Sequence, residues 1–251
     1  MTGTQNINWQ RLLVEAAAIV ISIIIAFAID AWWDERQERQ AELDYLIGLQ
    51  RDFSETRESL ENHVNRVSSL FSHVDEVLIV IADSESANLP DSFSSMVGEA
   101  YSIPRPVIVT GTYKDMVNSG SLQLIRSEEI RLAMAEFMSI LEIMNFRSNL
   151  NLQTFWSLHA PFINRYLLLN ELAFHEDVIE NAQGEIKYIA GPPIKHSFEL
   201  NVEAIKTQEF WNLMTGWKVL YGDQLAQSTR AQSLCADILD MLDDGIESNT
   251  R

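Results

Sequence analysis

Residues 12–33 read LLVEAAAIVISIIIAFAIDAWW, an apolar run interrupted only by Glu15, Ser22 and Asp30. A helix of that length rises far enough to cross the roughly 30 Å hydrocarbon core of a bilayer. Eleven Leu, Ile, Val or Phe residues lie between positions 12 and 29. Each favours insertion by roughly 0.3–0.6 kcal/mol, which outweighs acidic residues placed towards the two ends. Trp9 on one side and Trp32 with Trp33 on the other stand where an interfacial aromatic belt belongs. From residue 34 to residue 83 the chain contains no proline. Leu43, Leu46, Leu49, Phe53, Leu60, Val64, Val67, Leu70, Val74, Leu78 and Ile81 keep helical spacing there, apart from one seven-residue gap. The membrane helix is therefore expected to run on, or bend briefly, into a long amphipathic helix.

Breakers divide the rest of the chain. Residues 84–90 read as a loop, residues 91–101 as a short helix, and Pro104 with Pro106 as a second break. The triplet Val107-Ile108-Val109 has strand character but is too short to argue a strand alone. Residues 111–126 give a short helix ending at Ser119-Gly120. Ser127 then caps a long helix with core positions Ile130, Met134, Phe137, Leu141 and Met144, running through Leu152 and Phe155 towards Pro161. Residues 174–198, with Gly184, Gly191 and Pro192-Pro193, are the most irregular part and suit a short hairpin. Helical spacing resumes over residues 202–245, with Thr207 as a break or cap. Phe210, Leu213, Trp217, Leu220, Leu225, Leu234, Ile238 and Leu242 mark its buried side. The fold class expected is mainly α: a tail over residues 1–11, a transmembrane helix over 12–33, and a soluble helical bundle over 34–251.

Composition narrows the partners. With 47% hydrophobic residues, ten glycines and six prolines in 251 residues, the chain is too apolar and too poor in breakers to be largely disordered. A net charge of -18 argues against nucleic acid and against a polybasic lipid-binding surface, both of which need clustered Lys and Arg. The single cysteine, Cys235, has no partner for an internal disulfide. It lies in the apolar pattern Leu234, Ile238, Leu242, where thiols are usually buried and inert.

The anchor competes with a cleaved signal peptide, because Ala26-Phe27-Ala28 has a small-x-small form. Only Arg11 precedes the apolar run, however, whereas a signal peptide starts distinctly basic. Orientation is less sharply marked. Arg11 before the span and Arg36 with Arg39 after it vote for a cytoplasmic C-terminal part. The free amino terminus cancels most of that margin, and a short tail kept inside with the large acidic part exported is the arrangement preferred. Within the span, Glu15, Ala18, Ser22, Ala26, Ile29 and Trp33 recur every three or four residues and form one stripe, with Asp30 beside its end. Small side chains at Ala18, Ser22 and Ala26 permit close approach of a second helix, and an ionisable residue such as Glu15 usually faces protein or water rather than lipid.

Chemistry is not visible. None of the histidines at 63, 73, 159, 175 and 196 forms an H-E-x-x-H pair. His63 and His73 fall on different sides of a helix, and His175-Glu176-Asp177 reads as a solvated loop. No G-x-x-x-x-G-K-[ST], G-x-G-x-x-G or G-x-S-x-G occurs, so no cofactor or nucleophile loop is expected. Asp237, Asp240, Asp243, Asp244 and Glu247 lack the oxygen spacing of a calcium loop.

The run from Glu15 to Arg39, EAAAIVISIIIAFAIDAWWDERQER, is followed by Glu42-Leu43-Asp44-Tyr45-Leu46 and Leu49-Gln50-Arg51-Asp52-Phe53. Together these resemble a family of bacterial single-pass inner-membrane proteins of no known activity. A second block is also similar: Thr112-Tyr113 through Ser119-Gly120, Leu122 and Leu124-Ile125-Arg126. Ser22 stands where that family's pattern has glycine. The resemblance implies an inner-membrane location and no chemistry. The function expected is that of a non-enzymatic accessory or structural subunit, in contact with the bilayer and with a membrane protein partner or its own copies through the transmembrane helix. The alternative is a membrane-anchored sensor whose helical part binds a ligand.

Overall fold

The computed structural model describes residues 9–83, 89–90, 92–167, 179–181, 184–186 and 201–250, and the protein is mainly helical. Helix α1 is continuous over Trp9–Ala82, so the apolar N-terminal segment runs unbroken into the amphipathic one. It is followed by α2 (Phe93–Ala100), α3 (Gly111–Ser119), a 3-10 turn (Ser121–Leu124) and α4 (Glu128–Thr154). A π-helical turn (Phe155–His159) leads directly into α5 (Ala160–Tyr166). Strands β1 (Ile179–Asn181) and β2 (Gly184–Ile186) pair antiparallel, Ile179 opposite Ile186, inside the stretch expected to hold a hairpin. Helices α6 (Val202–Ile205) and α7 (Gln208–Thr250) complete the chain.

Local chemistry accounts for the boundaries. Gly120 closes α3 in the left-handed conformation, φ 74°, which glycine adopts without steric cost. The Ser127 hydroxyl accepts from the Ile130 N–H at 3.3 Å, the expected cap of α4. Asn201 caps α6 through the Ala204 N–H at 3.0 Å, and the Thr207 hydroxyl accepts from the Phe210 N–H at 3.3 Å, so Thr207 both ends α6 and starts α7. Two further stretches follow from local bonding. Val107-Ile108-Val109 is not a strand: the Val107 N–H donates to the Ser59 hydroxyl and the Val109 N–H to the Thr56 hydroxyl, so helix side chains replace a ladder partner. Pro161 does not stop the chain's helical run, because it falls in the first turn of α5, where its missing N–H costs nothing.

The chain folds as two compact units, Met1–Arg51 with Thr110–Arg131 and Met241–Arg251, and Asp52–Val109 with Leu132–Asp240. In the second, Val67, Leu70, Val74 and Val77 of α1, Phe93 and Val97 of α2, Phe162 and Ile163 of α5, and Phe210, Met214 and Trp217 of α7 form one apolar core. Its helices bury residues at alternating three- and four-residue steps. On α1 these are Phe53, Thr56, Leu60, His63, Val67, Leu70 and Val74; on α4, Met134, Phe137, Leu141, Met144, Ser148 and Asn151; on α7, Phe210, Met214, Trp217, Tyr221, Gln224, Ser228, Ala231, Cys235 and Ile238. That is the seven-residue repeat of knobs-into-holes packing. In the first unit Leu46, Leu49, Met116, Ile125, Ile130 and Leu242 are buried.

Candidate functional site

The residues singled out on the apolar N-terminal segment, which is long and apolar enough to cross a membrane, all lie on α1. Glu15, Ala18, Ser22, Ala26, Ile29 and Trp33 share a face, with Asp30 at its edge, and each is exposed. No part of the apolar window of α1 is buried, unlike a core helix of similar composition. The Ser22 hydroxyl donates to the Ala18 carbonyl at 2.8 Å within the helix. Its hydroxyl proton is thereby engaged within the helix, and its two lone pairs remain as acceptors.

Where α1 joins the rest of the first unit, burial begins at Glu42, Leu46 and Leu49. At about 100° per residue, that buried side lies roughly 160° around the helix from the mean direction of the stripe. Between Trp33 and Glu42 the helix rises about 14 Å with every residue up to Gln40 exposed. Arg36 lies over the Trp32 ring at 5.9 Å and Arg39 pairs with Glu35 at 2.6 Å, which holds the Glu35 carboxyl below the usual range.

The two sequence blocks behind the resemblance meet here. Glu42 is buried and accepts from the Arg126 backbone N–H at 2.7 Å, with the Arg126 Nε 3.6 Å from its other oxygen. Tyr45 donates to Asp115 at 3.4 Å, and Arg131 donates to the carbonyls of Ile125 and Arg126. A Cβ at Gly48 would come within 3.0 Å of Thr112 Cγ2, so glycine is what lets α3 approach α1.

The second unit holds a buried polar group that the spacing of its histidines did not reveal. The Tyr101 hydroxyl and His159 Nδ1 are 2.9 Å apart, and the Trp217 ring lies 4.8 Å from the His159 ring. Trp217 Nε1 and the Tyr221 hydroxyl both donate to the Ala100 carbonyl, at 2.9 and 2.8 Å, and the Tyr221 oxygen accepts from the Ser102 N–H at 3.1 Å. Gln224 donates to the Pro104 carbonyl at 2.9 Å and stands 3.4 Å from His63 Nε2. Thus α1 and α7 bond the backbone from Ala100, the end of α2, to Val109, and residues 101–109 have no regular secondary structure of their own. Burial lowers the pKa of both His63 and His159 to about 4 and raises those of Tyr101 and Tyr221, so all four stay neutral near pH 7. Neutral, enclosed groups of this kind hold a backbone in place through their hydrogen bonds.

Among the described residues no group of three or more His, Cys, Asp or Glu is placed to hold a metal ion. His175, Glu176 and Asp177 lie outside the described residues. No family model, curated protein or solved structure matches the chain.

Proposed function

We propose that the chain is a non-enzymatic accessory or structural subunit of a complex in the bacterial inner membrane. It is held there as a single-pass protein by residues 12–33, with its soluble helical bundle on the exported side. The observation that carries this reading is the placement of the small-residue stripe: it is exposed, and it faces about 160° away from the side of α1 that Glu42, Leu46 and Leu49 bury. A partner helix seated on Ala18, Ser22 and Ala26 meets no part of that buried side. The resemblance to single-pass inner-membrane proteins and the aromatic flanks at Trp9, Trp32 and Trp33 support the same location. A sensor reading draws its support from α1 continuing without a break over Trp9–Ala82.

The test begins with extraction: the chain stays with membranes through alkaline carbonate and leaves them in detergent. Ser22→Ile with Ala26→Ile keeps the helix apolar but fills the stripe, and it should abolish association measured by crosslinking in native membranes. Val20→Leu and Ile24→Leu, on the other side of the helix, should leave it intact. Equal association in both sets overturns the stripe as the contact. A small molecule copurifying in place of a companion protein favours the sensor.

A further inference from the structure

The buried residues of α4, Met134, Phe137, Leu141, Met144, Ser148 and Asn151, alternate steps of three and four, and carried on these steps reach Phe155, Leu158 and Phe162. The chain departs from that pattern at one place. Leu158 is 58% exposed, while its polar neighbour His159 is 2% exposed. The cause is the π-helical turn over Phe155–His159, which holds one residue more than an α turn and carries the inward side from 155 to 159 to 163 in steps of four. A leucine is left in water and an imidazole is enclosed, a local conflict opposed by the Tyr101 hydroxyl 2.9 Å from His159 Nδ1. We propose that this turn has two positions and that the charge of His159 chooses between them.

In the position described above, the extra residue lies before His159 and the imidazole faces inward. In the other it lies between Leu158 and Ile163: Leu158 takes the inward place and His159 turns to the flank, while the inward residues of α4 and Ile163 of α5 keep theirs. Pro161 stands in the stretch the extra residue would enter and has no N–H, so no ladder bond from that residue resists the change. The rings of Tyr101, Phe155 and Trp217 surround the imidazole at 5.2, 6.5 and 4.8 Å, with Tyr221 packed on Trp217. Of these only the two tyrosines titrate, and burial keeps both protonated. The charged groups next along the same elements are engaged elsewhere: Glu99, two residues before Tyr101, stands 4.0 Å from His73 of α1, and Lys218, beside Trp217, pairs with Asp75 of α1. The enclosure therefore suits the neutral ring and disfavours the charged one. With an inward pKa of about 4 and an ordinary 6.5 at the flank, the outward position gains about 20-fold as the pH falls from 7 to 5. The whole device lies in the second unit and stands or falls apart from the membrane stripe.

The experiment uses the full chain in mild detergent, as Cys235→Ala with Leu158→Cys carrying a small trifluoroethylthio tag, read by fluorine NMR in H2O and in D2O. At pH 7 the tag should be open to water. Between pH 7 and pH 5 an enclosed form should grow by about 20-fold relative to the open one, while near-ultraviolet circular dichroism shows the fold kept. His159→Gln, which stays neutral, should remove that response, and this separates it from any effect of His63, which titrates over the same range. His159→Lys should give the enclosed form already at pH 7. A tag that stays open down to pH 5, whether the fold holds or melts, overturns the proposal, and so does an equal response in His159→Gln. The pH series decides even where the lysine variant does not fold.

Discussion

Lowering the pH should unfold this protein through two buried imidazoles. His63 and His159 have pKa values of about 4 in the folded chain, against 6.5 for a free imidazole, because burial disfavours the charged ring. The folded values are depressed, so the stability they carry is complete above pH 6.5 and is lost as the pH falls from 6.5 through 4. Each shift corresponds to about 3 kcal/mol at its limit, and at pH 5 to about 2 kcal/mol per histidine, or about 4 kcal/mol for the pair. For a chain of this size that is a fall in the unfolding midpoint of roughly 10 °C between pH 7 and pH 5. Protonating His159 makes both ring nitrogens donors, so its Nδ1 then has to donate to the oxygen of a Tyr101 phenol that burial keeps protonated. The assay is near-ultraviolet circular dichroism of the full chain in mild detergent, scanned at one rate across that pH range. His63→Gln with His159→Gln should start from a lower midpoint at pH 7 and lose little more by pH 5. A variant that falls as steeply as the parent would show that the acid sensitivity lies elsewhere and refute the assignment.

Packing sets two more outcomes. Burial pushes the Cys235 thiol up to about 11, and its Sγ lies 3.4 Å from the Phe53 carbonyl, so maleimide labelling at pH 7 should be slow in the folded chain and fast after denaturation; equal rates would show the thiol open. Gly216→Ala should raise the unfolding free energy by about 1 kcal/mol, since nothing lies near its added methyl in α7, whereas Gly48→Ala should lower it by about 1–2 kcal/mol as the methyl meets stiff, β-branched Thr112. Denaturant titration of the two variants checks both signs, and a stabilising Gly48→Ala would mean that α3 yields easily.

The elements were legible in the sequence because apolar spacing and caps announce them: the apolar N-terminal run and its helical continuation through α1, the Gly120 and Ser127 boundaries, the break at Thr207. The core faces were legible only where aliphatic residues mark them. On α7 the sequence pointed to Leu213, Leu220, Leu225 and Leu234, which are only partly buried, while Met214, Tyr221, Gln224, Ser228 and Ala231 join the expected Cys235 on the inner stripe. On α1 the seven-residue gap between Phe53 and Leu60 is filled by buried Thr56, and His63 takes the next inward position ahead of Val64. A polar residue at such a position is invisible to hydrophobic patterning, because its partner lies far along the chain. Thr56 meets Val109, Gln224 meets Pro104, and Tyr221 meets Ala100 and Ser102.

Those polar residues explain why the extended segment sits where it does. An apolar stripe fixes which side of a helix is inward but tolerates sliding along its length, since one leucine fits a neighbour's hole about as well as the next. A buried amide or hydroxyl does not tolerate it, because a slip of one turn leaves a desolvated donor or acceptor unpaired at about 1–3 kcal/mol. Thr56 and Ser59 on α1 and Trp217, Tyr221 and Gln224 on α7 each bond backbone groups between Ala100 and Val109. Sliding either helix would break several of these bonds together. The segment therefore works as a template that locks the register of two long helices.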